Sequence, residues 1–452
     1  MNTHPTGDNE VVAPESQHPA PAEGGIHVDD ELRRLLVRLC GERELTAADL
    51  ESALARAVWS RLSEPGDAVA GLIVARLGPF AALKLLELPH AARKLAQALQ
   101  AAGNDTPVSV RKLGEGVKRW LPRLDRTATV KDLMTAVRTG MSLLTRESPN
   151  WPERLDLLGD HAPLALWVRG SESLLSGTDA EPQPQPPVTG SLAVIGARAC
   201  SGYGAHVTAE LTGIACAAGV TIVSGAAYGI DAAAHRTALA TGSRTIAVLA
   251  GGVDRPYPIA HTDMLKRAAE RGSVCSEMVP GSSPTRWRFL QRNRIIAALS
   301  DAVLVTEAGV RSGTLNTAGH AAELGRRLGA VPGSVTSASS AGCHRLIREY
   351  GATLIGSGPD VLELVGVDPV AGMFDTDERD PSDVERPTSL HLRLMDSLPL
   401  RGTRSLEDAA THAGVTLTEA QHSLAELELL GHVTRVELSD TGFTEWRLIR
   451  RA

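Results

Sequence analysis

SLAVIGARACSGYGAHVTAEL, residues 191–211, joins a short aliphatic strand, a glycine-bearing turn and a helix-length stretch without a break. The same order recurs downstream in TIVSG, TIAVLAG, SVCSE, AVLVTEA and LGAVPG, each followed by Gly, Ser or Asp and then by enough residues for a helix. Continuous apolar strands are buried on both faces, and crossover helices are what cover them, so the pattern predicts a parallel sheet. Residues 191–366 are therefore expected to form a Rossmann-like, doubly wound α/β domain. Its ligand is expected beyond the carboxyl ends of the strands.

Outward from this block the composition changes twice. Residues 1–28 read as a disordered tail, and residues 1–30 hold six acids and no Lys or Arg. From 29 to 146 apolar residues recur at three and four spacing in ELRRLLVRLC, DLESALARAVWSRL, GLIVARLG and AALKLLEL, which predicts a small helical domain. GLIVARLGPFAALKLL has the short, glycine-bounded helices of SAM-like or helix-hairpin-helix modules, which serve either DNA backbones or simple packing. A lead-in, 147–190, carries the strand LALWVRG and the Pro-rich tract TDAEPQPQPPVTG. Beyond 366, an acidic linker at 367–387 precedes three helices and a hairpin at 388–452, the order of a winged helix.

The whole chain has a formal charge of -7, which would argue against nucleic acid if the acids were evenly spread. They are not: residues 191–366 carry 16 Lys plus Arg against 12 Asp plus Glu. The block that holds the strand-end loops is locally basic. Five scattered cysteines with no C-x-x-C pair suggest neither a disulfide framework nor a zinc module, and fit a reducing cytoplasm. No secretory leader and no membrane-length apolar run is visible.

Candidate chemistry lies in the loops after the strands. Gly196, Arg198, Ser201 and Gly204 follow the first strand, where bare amides and a helix N-terminus attract phosphate. The spacing is not G-x-G-x-x-G, so a dinucleotide, and with it any cofactor, is not implied. Gly225 and Gly229 flank Tyr228 in GAAYGID and permit close backbone approach. Asp231 reads as a helix cap, and His235 reads as a packed histidine better than as a metal ligand. TRWRFLQRNR sets Arg286, Arg288, Arg292 and Arg294 among Trp287, Phe289 and Asn293. Cations interleaved with rings suit phosphates and stacked bases. Arg292 and Arg294 are expected at a helix start, where they call for an anion. Finally Arg311, Ser312, Gly313 and Thr314 form a turn whose hydroxyls and amides suit one phosphate. The arginines and the glycine loops are expected to make one anion-binding rim.

Together VIGARACSGYG, SGAAYGIDAAAH, TIAVLAGGVDRPYP, Ser276–Glu277, FLQRNRIIAALS, EAGVRSGTLNTA and the AVPG of 330–333 resemble the DNA-processing protein A family, also called DprA or Smf. The resemblance covers the central block in order, and the WPERL lead-in and the C-terminal layout follow it too. It implies a non-enzymatic protein that binds and protects single-stranded DNA, helps load a RecA-type recombinase in natural transformation, and dimerises through the Rossmann-like block. Position by position, it implies DNA contacts at Arg198, at Arg292 and Arg294, and at Ser312, Gly313 and Thr314, with Phe289 as the stacking residue. Arg311 stands where the family commonly has Lys, and Tyr228 where it commonly has Arg; a ring there stacks instead. The presumed recognition helix TLTEAQHSLAELELL has Glu419, Glu426 and Glu428 but no Lys or Arg, so the terminal domain is expected to dock protein, not to read DNA. The competing reading is a nucleotide-processing, phosphoribohydrolase-like enzyme, with Glu277 or Glu307 as base.

Overall fold

The structure is a computed structural model describing residues 26–41, 44–103, 108–177, 189–310, 312–367, 389–399, 402–429, 432–437 and 444–449. The chain divides into two compact units, Met1–Asp368 and Pro369–Ala452. The expected tail falls mostly outside the described residues, but Ile26 does not belong to it. Its side chain is buried in the core and its amide donates to Glu87 at 2.9 Å.

The first unit opens with α1 (Asp30–Leu39), α2 (Ala47–Leu62), α3 (Ala68–Leu77), α4 (Pro79–Leu86), α5 (Ala91–Ala101), α6 (Val110–Trp120) and α7 (Arg126–Arg138). Side chains start several of them: Asp29 caps α1, a Thr46–Asp49 capping box opens α2, and Asp67 caps α3. Gly78, at φ +79°, takes a backbone conformation only glycine holds freely, and Pro79 opens α4, so the two short helices bend by 113°. Trp59 and Trp120 meet edge to face at 5.4 Å beneath them.

The helices do not keep a core to themselves. β1 (Ser142–Leu144), β2 (Leu166–Gly170) and the short α8 (Ser173–Ser176) bring the lead-in into the sheet. The helical side chains then share one buried cluster with Trp167, Leu249, Met264 and Val274. The sheet thus begins well before residue 191, because LALWVRG pairs antiparallel with a strand of the central block. The Pro-rich tract of 178–188 lies outside the described residues.

From β3 (Gly190–Gly196) the alternation holds as expected: α9 (Gly202–Ala217), β4 (Val220–Ser224), α10 (Ile230–Ala240), β5 (Thr245–Val248), α11 (Thr262–Arg271), β6 (Ser273–Ser276), α12 (Arg286–Leu299), β7 (Ala302–Glu307), α13 (Thr314–Glu323), β8 (Arg327–Ala330), α14 (Ala341–Glu349), β9 (Thr353–Leu354) and α15 (Gly358–Val365). The nine strands lie in the order β1-β2-β6-β5-β4-β3-β7-β8-β9, with β6 to β9 mutually parallel. From β3 the chain builds outward through β4, β5 and β6, then returns by α12 to lay β7 on the other side of β3. That reversal opens a crevice outside the carboxyl ends of β3 and β7.

In the second unit α16 (Ser389–Ser397), α17 (Leu406–Ala413) and α18 (Leu417–Leu429) precede the antiparallel pair β10 (Val433–Glu437) and β11 (Thr444–Leu448). They close over Leu394, Leu424, Val433 and Trp446. Beyond Val367 the acidic linker lies outside the described residues. Among the described residues no single helix is long and apolar enough to cross a membrane.

Candidate nucleic-acid interface at the sheet switch point

The arginine helix has to be corrected first. α12 begins at Arg286, capped by Thr285, so Arg292, Asn293 and Arg294 sit in its middle and not at its start. Everything from Arg292 to Leu299 is buried, since this helix is the return crossover and is packed on all sides. Guanidinium groups in that setting are tolerated only if their N–H groups are paired. Arg292 is: its Nη1 donates to the Gly225 carbonyl at 2.7 Å and to that of Val248. Burial pushes its pKa down to about 10, against the opposing pull of Asp231.

Gly225 is the cradle of this contact. A Cβ there would lie 2.2 Å from the guanidinium, so the residue is glycine to let Arg292 through. Asp231 is not the cap of α10, whose N-cap is Gly229. Its Oδ2 instead reaches back to the amides of Gly225 and Ala227 at 3.2 and 3.3 Å, and burial pushes the carboxyl upward. His235 is the packed histidine expected, with Nδ1 at 2.8 Å from the Thr245 hydroxyl. Arg294 points the other way. It forms a two-pronged pair with Glu277 at 2.9 and 2.7 Å and donates to the His161 carbonyl at 2.9 Å, bracing the lead-in segment. With side chains 3% and 10% exposed, this pair is structural. Asn293 is buried as well, and its Nδ2 holds the Gly313 carbonyl at 3.4 Å and Asn316 at 3.2 Å.

The phosphate seat expected after β3 is taken by the protein itself. Glu307, buried at the end of β7, accepts the Ser201 amide at 2.8 Å. Ser201 Oγ accepts the Gly204 amide at 3.0 Å. Gly204 is small because a Cβ would meet the Glu307 carboxylate at 2.1 Å. The N-cap amide of α9 is therefore already held by a carboxylate. The turn before α13 is likewise knitted inward: Ser312 donates to Thr314 Oγ1 at 2.8 Å, and Thr314 donates to the Gly196 carbonyl at 3.0 Å. Gly313 stays exposed. Arg311 lies outside the described residues.

What remains outward-facing is a rim of rings around one guanidinium. Arg198 is exposed, in no ion pair among the described residues, and lies over the half-buried Phe289 ring at 4.9 Å. Tyr257 packs against Phe289 at 5.5 Å. The Arg198 backbone also touches Gly229, whose neighbour Tyr228 extends outward, edge-on to His261 at 4.9 Å. His261 holds the Ala226 carbonyl at 2.9 Å and so fixes that loop. Arg198, Phe289, Tyr228 and the Ser312–Thr314 turn thus gather at the strand ends, while Arg292, Asn293 and Gly225 support them from below and Arg294 stands apart. Sequence reasoning missed the ring contact of Tyr257. It also missed the capping role of Glu307, although a buried acid at a strand end beside glycines was a usable signal.

The fold and this crevice define a Rossmann-like, doubly wound α/β protein with a ring-lined guanidinium at its switch point. The family model for DNA recombination-mediator protein A matches residues 142–366. The chain is 36% identical over 411 residues to a Mycobacterium tuberculosis protein named as DNA processing protein DprA, covering 88% of this chain and 95% of that one. It is 43% identical over 202 residues to DNA processing protein DprA of Streptococcus pneumoniae, covering 44% and 66%. The X-ray structure of the latter protein superposes with a TM-score of 0.52 at 31% identity, covering 71% of this chain and 98% of that one. The chain belongs to the DNA-processing protein A (DprA/Smf) family.

Proposed function

We propose that this protein binds single-stranded DNA along the rim at the carboxyl ends of β3, β4, β5 and β7, and that it handles incoming DNA for recombination. The observation that carries the reading is Arg198. It is a guanidinium in no ion pair among the described residues, lying on an aromatic ring at the switch-point crevice, beside a hydroxyl-bearing turn. A cation held on a ring pairs with a phosphate while neighbouring rings offer faces to bases. Duplex DNA keeps its bases stacked inside and meets only the cations, so it binds more weakly.

The carboxylates of the enzymatic alternative are both engaged. Glu277 is paired with Arg294 and Glu307 accepts the Ser201 amide, so neither is poised as a base. Cooperation with a RecA-type recombinase, a homodimeric state and a cytoplasmic setting are further parts of the reading, supported by family membership. The second unit is proposed to be a winged helix with an accessory, protein-docking role. In α18, Glu426 pairs with His391 and Glu428 with Arg435, and the helix offers no cation.

Titrating the full chain with labelled oligo-dT and with duplex of equal length, at two salt concentrations, tests the proposal. The single strand is expected to bind tighter and to lose about tenfold for a threefold rise in salt if about three phosphates are neutralised. Equal or tighter duplex binding would overturn it.

A further inference from the structure

The loop after β5, residues 249–261, adds no strand to the sheet and yet is firmly held. The Gly252 amide donates to the Ser282 carbonyl at 2.9 Å, and the Asp254 carboxylate accepts the Gly281 amide at 2.8 and 3.0 Å. Gly251 and Gly252 have no room for a side chain, since a Cβ would meet Ser282 and Asp254 at 2.8 and 2.6 Å. At its far end His261 ties it to the Ala226 carbonyl. What this brace presents to solvent is Arg255, outside any ion pair among the described residues, and Tyr257, 50% exposed.

Tyr257 leans on Phe289 at 5.5 Å with the rings tilted by 54°, and Arg198 lies over that same Phe289 at 4.9 Å. Phe289 is therefore engaged by two neighbours and half-buried, whereas Tyr257 remains exposed. A rigid ring loses little conformational entropy when a planar partner arrives, and a neighbouring cation supplies the phosphate partner. We propose that the 249–261 loop is a separate nucleotide subsite: Tyr257 receives one base, and Arg255 takes a backbone phosphate of the same strand. The subsite rests on the single-strand reading above and extends it by one nucleotide beyond Arg198.

The test is oligo-dT binding by the full chain carrying Tyr257→Ala, Tyr257→Phe, Arg255→Gln or Arg198→Ala, together with photocrosslinking of an oligonucleotide containing 5-iodouracil. Tyr257→Ala is expected to weaken binding by about tenfold, in line with the loss of one base stack. Tyr257→Phe keeps wild-type affinity, and the crosslink maps to the peptide bearing Tyr257. Arg255→Gln makes the slope of log affinity against log salt shallower by about 0.7, one phosphate on a single strand. This readout stands even if Tyr257→Ala loosens the loop. Wild-type affinity for Tyr257→Ala and an unchanged slope for Arg255→Gln, with Arg198→Ala weakened, overturn the subsite and leave the rim standing. Wild-type affinity for all four variants overturns the rim reading itself. Equal weakening by Tyr257→Ala and Tyr257→Phe, without a crosslink at residue 257, assigns the loss to the tyrosine hydroxyl instead of a stacked ring and also overturns the subsite.

Discussion

Arg198, Arg292 and Arg294 carry the same side chain into three different kinds of work. Arg198 is exposed on a ring, Arg292 is spent on two strand-end carbonyls, and Arg294 is spent on Glu277. Removing one partner of a buried pair leaves an uncompensated charge, so Arg294→Ala is expected to cost about 3–5 kcal/mol of stability in urea unfolding. Arg294→Met combined with Glu277→Gln should cost distinctly less. Gly225→Ala is expected to destabilise strongly, because its methyl group would occupy the Arg292 guanidinium position. In an Arg292→Ala background the same change should cost less, and a double-mutant cycle measures that coupling. A loss of DNA binding on removing Arg292 or Arg294 would therefore report a damaged scaffold, unlike the loss expected at Arg198.

At the scale of elements, strands and crossovers were legible because their signal is local. AVLVTE is buried along its whole length and SLAVIG up to Ile195, as unbroken apolar runs require. The middle of α12 was not legible. RNR looks like a charged surface, and only the return of this helix across the sheet, a contact between residues 67 apart for Arg292 and Gly225, makes it interior. The same long-range closure hid Glu307, 106 residues from the Ser201 amide it accepts. Asp231 was misread as a cap because a side chain that reaches back over a loop has the same sequence position as one that caps. The buried His235 on α10 gives this level a pH signature. Burial lowers its pKa from 6.5 to about 3. The unfolded chain then binds a proton that the folded chain refuses, so stability is full above pH 6.5 and falls with a slope of about one proton as pH drops toward 3. His235→Gln should flatten that slope in unfolding measured across pH, and an unchanged slope would remove His235 from the acid sensitivity.

For the whole molecule, net charge hides an uneven spread: acids gather in the N-terminal tail and the linker, while residues 191–366 carry 16 Lys plus Arg against 12 Asp plus Glu. A chain ending at residue 367 is accordingly expected to keep oligo-dT affinity within about twofold, because α18 supplies no cation for phosphate. A large loss in the same titration would move DNA contact into the second unit. The central claim is that a free guanidinium on a ring, and not the buried arginine pair, grips the strand. Fluorescence anisotropy of labelled oligo-dT with Arg198→Ala tests it most directly, run beside a thermal melt. Affinity lower by on the order of tenfold, a shallower salt dependence and an unchanged melting temperature are predicted, as one charge-assisted phosphate contact is lost. Wild-type affinity and salt dependence in that variant would contradict the account.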